Sequence, residues 1–424
     1  MRRMSPLARA RSLRGFSATL AMAVALAGGA VVGTIATGTA ATAQQVEVKA
    51  SRGFARVYQP LADIANSEAG DFASARAQLP AVIAAAETAD DRYLAGSVTY
   101  VLGRKLSEPA LERQGMELML SSGKASPAAT AEINYFLGRW AFEAKEWAKA
   151  RGHLQAAHAG GYVDGNPEGL IAETYFQGGE PEGGLAYLEG LIRQLNASGQ
   201  QAPEAWLRRG LKVAVDARNV AQAEKWSAML IGHSPTAENW LAGFQVVEIL
   251  HSLDPQARLD LLRLMALTDS LGERRNFVSY IEAADPRIMA TEVSRVLDAG
   301  MRAGVFSATD EYYAEVKRMV DERAPGEAKE AADYAAEARR ANTGRPAQNA
   351  AELFLAMQSF GQAEEMFALA LEKGGVDRDA VLTRLGMAQA QQGKLAEARA
   401  TFGQVSGARS AVARLWTTYV ESRA

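Results

Sequence analysis

The chain has no cysteine among its 424 residues. This absence excludes disulfides, thiol nucleophiles, zinc–thiolate sites and iron–sulfur clusters, together with lipid attachment through an N-terminal cysteine. Histidine is scarce, and no His-Glu-x-x-His run is present; the four histidines are His153, His158, His233 and His251. We therefore expect neither a metal site nor a bound cofactor.

Catalytic signatures are missing as well. The sequence contains no nucleophile elbow, no phosphate-binding glycine loop and no paired-carboxylate motif. We expect a protein that is not an enzyme; an unrecognised enzyme would need polar residues from distant segments to converge in one pocket. No window shows sustained alternation of β-branched residues either, so we predict essentially no sheet.

Basic charge is concentrated at the N-terminus. The formal net charge is −3, and the first 43 residues carry five arginines and no acidic residue. The remainder has 41 basic and 49 acidic residues, a net charge of −8. A mildly acidic body has no electrostatic footprint for DNA or RNA, and it does not favour an anionic membrane surface. We expect no nucleic-acid partner.

The N-terminal 43 residues have the order of a signal peptide. Residues 1–16 are basic, residues 17–43 are uncharged with an apolar centre at 18–32, and the segment ends in Ala41-Thr42-Ala43. This pattern predicts cleavage between Ala43 and Gln44 and export, most simply to a bacterial periplasm by the general secretory route. The pair Arg2-Arg3 leaves the twin-arginine route as an alternative.

The same segment has a second interpretation as a membrane anchor. Residues 18–35 are 18 in number, close to the lower limit for a transmembrane helix, so an uncleaved signal would hold the protein at the inner membrane. Beyond Gln45 no apolar run approaches spanning length. The mature chain is therefore expected not to span a membrane.

An internal repeat follows. Residues 134–162 form two short amphipathic patterns around a turn near Ala144-Lys145. Small and large residues recur there at fixed positions, and several return after 34 residues: Leu137-Gly138, Ala150, Leu154 and Ala157, then Ala172, Gly184 and Leu188. Small residues let two helices approach closely, and large ones fill the space between them. One helix pair cannot bury both faces, so the units must stack.

A second matching pair lies near the C-terminus. Ala363 and Ala398 are 35 residues apart, as are Phe367 and Phe402. A last amphipathic segment at 410–422 would cap the array. Residues 233–345 are helical in pattern but lie outside the register, with breaks expected at 324–326 and 342–346.

These spacings resemble the tetratricopeptide repeat. The resemblance implies an all-α, right-handed superhelical solenoid of antiparallel helix pairs. The expected divisions are a signal peptide (1–43), N-terminal repeats (44–232), diverged repeats (233–345) and a C-terminal pair with a capping helix (346–424).

The resemblance also implies a concave groove lined by the first helix of each unit. The corresponding residues are Tyr135, Arg139, Phe142 and Glu143 in one unit, and Glu173, Phe176 and Gln177 in the next. Aromatic and arginine anchors suit a protein or peptide partner. Alternatively, Phe142 and Phe176 pack between neighbouring helices. The leading hypothesis is an interaction scaffold, and the alternative is an assembly subunit of a cell-envelope complex for secretion or polysaccharide export.

Overall fold

The computed structural model describes the backbone of residues 22–27 and 30–35 and all residues from 48 to 423. Two strands, β1 (Met22–Ala27) and β2 (Ala30–Ile35), pair antiparallel with Met22 opposite Ile35. The prediction of essentially no sheet is wrong for this hairpin. Two apolar runs separated by a Gly-Gly pair are the sequence pattern of a hairpin, and that signal was missed. Between residues 48 and 423 the elements are helical.

The chain divides into two compact units, 1–187 and 188–424. The predicted boundaries after residues 232 and 345 fall inside the second unit. The helices of the first unit are α1 (Arg52–Asn66), α2 (Phe72–Ala84), α3 (Ala89–Leu106), α4 (Pro109–Ser122), α5 (Pro127–Glu143), α6 (Trp147–Ala159) and α7 (Pro167–Gln177). Helix α8 (Pro181–Ala197) crosses the division.

The second unit continues the alternation of short helices and tight turns. Its helices are α9 (Glu204–Asp216), α10 (Val220–His233), α11 (Ala237–Leu250), α12 (Pro255–Leu267), α13 (Arg274–Ala284), α14 (Ala290–Arg302), α15 (Glu311–Arg340), α16 (Arg345–Ala356), α17 (Phe360–Lys373), α18 (Arg378–Gln391), α19 (Leu395–Phe402) and α20 (Ser410–Glu421).

Helix starts are fixed by short polar side chains. Thr88 and Asp91 form a capping box at the start of α3, in which each side chain accepts a hydrogen bond from the other residue's backbone N–H. Asp91 also accepts a bond of 2.8 Å from the backbone of Ser51, the N-cap of α1. One buried carboxylate therefore ties the starts of two helices together.

The pairing of small with large residues is the geometry that the repeat predicts. A Cβ placed on Gly138 of α5 would lie 2.8 Å from Cγ of Leu154 in α6. The same construction on Gly386 of α18 would meet the Phe402 ring at 2.5 Å. The predicted helix pair around Ala144 and the predicted C-terminal cap at 410–422 are both confirmed by α5, α6 and α20.

Helix α15 corrects the break expected at 324–326. It is one helix of 30 residues with Pro325 inside it. Its first half buries Val316 and Val320, and its second half buries Ala331, Ala335 and Ala338 in a separate core cluster. Packing on both sides of the proline outweighs the hydrogen bond that the proline removes. The break expected at 342–346 is confirmed between α15 and α16.

The second unit closes on itself. Helix α20 packs against α10, α11 and α12, which precede it by more than 140 residues. The indole Nε1 of Trp416 donates to the Asp260 carbonyl at 3.0 Å, and Arg414 bonds Glu224 at 2.7 Å. The predicted capping helix thus covers the end of the repeats and also contacts their beginning within this unit.

Candidate functional site

The predicted groove residues on α5 occupy different depths. Tyr135 is buried, stacks on Tyr162 with ring centroids 4.5 Å apart and donates from its hydroxyl to the Gly165 carbonyl at 3.2 Å. Arg139 and Glu143 form a loose ion pair of 3.5 Å, with 38% and 62% of their side chains exposed. Tyr135 therefore supports the surface from beneath, while the ion pair is open to a partner.

The two phenylalanines of the predicted groove are half-buried. Phe142 meets Trp147 of α6 edge to face at 5.2 Å. The Phe176 ring covers Gly184, where an added Cβ would lie 2.3 Å from it. Both rings thus spend one face on packing within their own helix pair.

Polar residues complete the predicted surface on α7. Gln177 is exposed and donates to the Glu173 carboxylate at 3.3 Å. Behind them, Arg151 of α6 lies 3.5 Å from the Tyr175 ring centroid and pairs with Glu180 at 2.8 Å. Arg151 was absent from the predicted set because it lies on a second helix, and the repeat pattern assigns the groove to first helices.

An acidic and aromatic cluster flanks Tyr135 and was also missed. Burial raises the pKa of Glu132, and the nearby Asp164 raises it further. Burial and the charge of Glu132 raise the pKa of Tyr162 to about 12. Two carboxylates beside a half-buried tyrosine ring form a site suited to a cationic side chain. We call Glu132, Tyr162 and Asp164 the acidic cluster.

The second unit contains a buried ionic network centred on Asp260. The Asp260 carboxylate accepts hydrogen bonds from Arg263 (2.9 Å), Arg384 (3.0 Å) and Arg409 (2.7 Å), and each of these residues is at least nine-tenths buried. The arginines come from α12, α18 and the turn before α20. Charges so far apart in sequence could not be assigned to one site from spacing alone.

Glu292 of α14 extends the network. It accepts two bonds from Arg263, both of 2.8 Å, and one from the Tyr280 hydroxyl at 2.8 Å. Burial opposes ionisation of Glu292, but Arg263 and Tyr280 stabilise the carboxylate and lower its pKa. Burial and the Glu292 charge raise the pKa of Tyr280 well above its ordinary range. The network is thus a set of fixed charges near neutral pH.

A cavity of about 250 Å³ lies beside this network. Its wall combines apolar side chains with Arg263, Tyr280, Glu292, Arg295 and Gln391. Among residues 48–423, no group of three or more acidic or histidine side chains could hold a metal ion. In the same range, no helix is both long and apolar enough to cross a membrane.

The fold is tetratricopeptide-like. PilF of Pseudomonas aeruginosa is 15% identical, with a TM-score of 0.26, and the match covers 55% of this chain and 98% of PilF. PilW, a type IV pilus biogenesis factor, is 12% identical at a TM-score of 0.24, covering 61% and 97% of the two chains. The C-terminal part of a TPR repeat-containing protein from Cytophaga hutchinsonii is 12% identical at a TM-score of 0.30, covering 78% and 98%.

The sequence matches no protein-family model and no curated protein. The tetratricopeptide interpretation therefore rests on the repeat spacing together with the small-to-large contacts between paired helices. The cleavage site predicted between Ala43 and Gln44 lies outside the described residues.

Proposed function

We propose that this chain is an exported scaffold that binds an extended, basic segment of a protein partner on its first unit. Export is supported by the basic, apolar and small-residue order of residues 1–43. The binding surface consists of the predicted groove residues together with the acidic cluster.

The acidic cluster is the observation that carries the choice of partner. Asp164 is exposed, whereas Glu132 and Tyr162 are half-buried, so a ligand can reach them while part of the site is already dehydrated. The raised pKa of Glu132 reflects burial and repulsion from Asp164, and a bound ammonium or guanidinium group would relieve both. Arg139 is the one basic residue of the predicted groove, and it is already paired with Glu143.

A binding assay tests the proposal with two labelled peptides that differ only in carrying three lysines or three glutamates. We expect the full chain to bind the lysine peptide, with affinity falling as salt is raised. Replacing Glu132→Gln together with Asp164→Asn removes two attractive charges and should weaken binding about fivefold or more. Fluorescence anisotropy measures both peptides.

Glu182→Gln is the matched control, because Glu182 is an exposed acid on α8. Equal binding of both peptides, or no effect of the double variant, would contradict the assignment. A Phe142→Ala plus Phe176→Ala variant examines the predicted groove separately. Protein for the assay is isolated from the periplasm, where export predicts a chain beginning at Gln44; a chain retaining Met1 would contradict cleavage.

A further inference from the structure

The cavity in the second unit has a wall that is mainly apolar. Leu271, Val296, Leu355, Met387 and Trp416 contribute carbon surface from different parts of the unit. Leu267 and Gln358 also line it and are exposed, so they mark its mouth. The cavity exists because α20 closes the unit and brings the Trp416 ring beside α12.

The polar groups of the wall that remain available are donors. Arg263, Tyr280 and Glu292 satisfy one another. In contrast, Nε2 of Gln391 is buried and has no hydrogen-bond partner within the described part of the chain. Arg295 donates to the carbonyls of Thr291 and Ala356, which uses two of its five N–H groups.

The charge of the wall is also positive. Arg263 and Arg295 line the cavity with one carboxylate, Glu292. Asp260 lies beyond Arg263, but it is shared with Arg384 and Arg409. A bound group with a negative charge or a strong acceptor would complete the hydrogen bonding of Gln391 and balance the excess.

The volume limits the size of the occupant. A cavity of about 250 Å³ equals roughly eight water volumes, which is at the small end for ligand pockets. An acid with roughly eight to ten non-hydrogen atoms matches this space.

We propose that the cavity binds a small organic carboxylate with an apolar body, its carboxylate directed to Gln391 and Arg295. The body lies against Val296, Met387 and Trp416. This site belongs to the second unit and is separate from the peptide surface proposed for the first.

Calorimetric titration of the full chain tests the site with octanoate and with octylamine, which share the apolar body and differ in the head group. We expect saturable binding of octanoate and at least tenfold weaker binding of octylamine. Gln391→Met keeps the length of the side chain but removes the donor, and it should weaken octanoate about fivefold to tenfold. Ala299→Leu fills the cavity and should abolish binding.

Gln362→Met is the matched control, because Gln362 is exposed on α17 and is not among the lining residues. A peptide C-terminus presents the same carboxylate, so Gly-Gly-Leu and its C-terminal amide are titrated alongside. Binding of either carboxylate that depends on Gln391 supports the site, and the tighter of the two identifies its source. The absence of saturable binding, equal binding of octylamine, or unchanged binding in both cavity variants would overturn the proposal. Circular dichroism confirms that each variant is folded.

Discussion

Asp260→Asn is expected to lower the free energy of unfolding of the second unit by about 3 kcal/mol. The substitution preserves shape but removes the charge shared by Arg263, Arg384 and Arg409. Each arginine keeps one other acidic partner, which places the loss toward the lower end of the range for breaking a buried ion pair. Hydrogen exchange of α12, α18 and α20 measures the loss locally.

Asp298→Asn serves as the control for that measurement. Asp298 lies exposed on α14, so its replacement should change stability by no more than about 0.5 kcal/mol. An effect of Asp260→Asn as small as that of the control would mean that the network does not hold the second unit together.

Gly138→Ala and Gly152→Ala are expected to change stability in opposite directions. The added methyl at Gly138 would meet the fully buried Leu154, so overpacking should cost about 1–3 kcal/mol. Gly152 lies in the middle of the partner helix α6 with nothing within 4 Å of an added Cβ. Alanine there should gain up to about 1 kcal/mol from helix propensity.

Urea unfolding followed by the fluorescence of Trp140 and Trp147, which lie on the same two helices, compares these glycine variants. Equal effects of the two substitutions would show that the close approach of α5 to α6 does not depend on glycine. That result would remove the physical basis of the repeat interpretation.

The repeat was predictable where its residues recur locally. Gly138 and Leu154 are 16 residues apart, and their size difference alone indicates two helices in close contact. Pro325 shows where local reading fails, because the helix around it is held by two core clusters that no local pattern reveals. The N-terminal hairpin was missed although its Gly-Gly pair was present in the sequence.

The sites were less predictable than the fold. Arg139 and Glu143 could be placed on an exposed face from the repeat register, but the burial of Tyr135 follows from the loop that brings Tyr162 and Gly165 over it. The Asp260 network joins residues up to 149 positions apart, and only closure of the second unit makes them neighbours. Sequence spacing carries no signal for such a contact in the absence of a motif.

A distance between two spin labels tests the closure of the second unit most directly. The absence of native cysteine allows labels at Ala221→Cys on α10 and Thr417→Cys on α20, two residues that line one surface groove. With neighbouring helix axes about 8–10 Å apart, closure predicts a narrow distribution below about 25 Å. An open array, with several helix pairs between α10 and α20, would place the labels more than about 40 Å apart and would contradict the account.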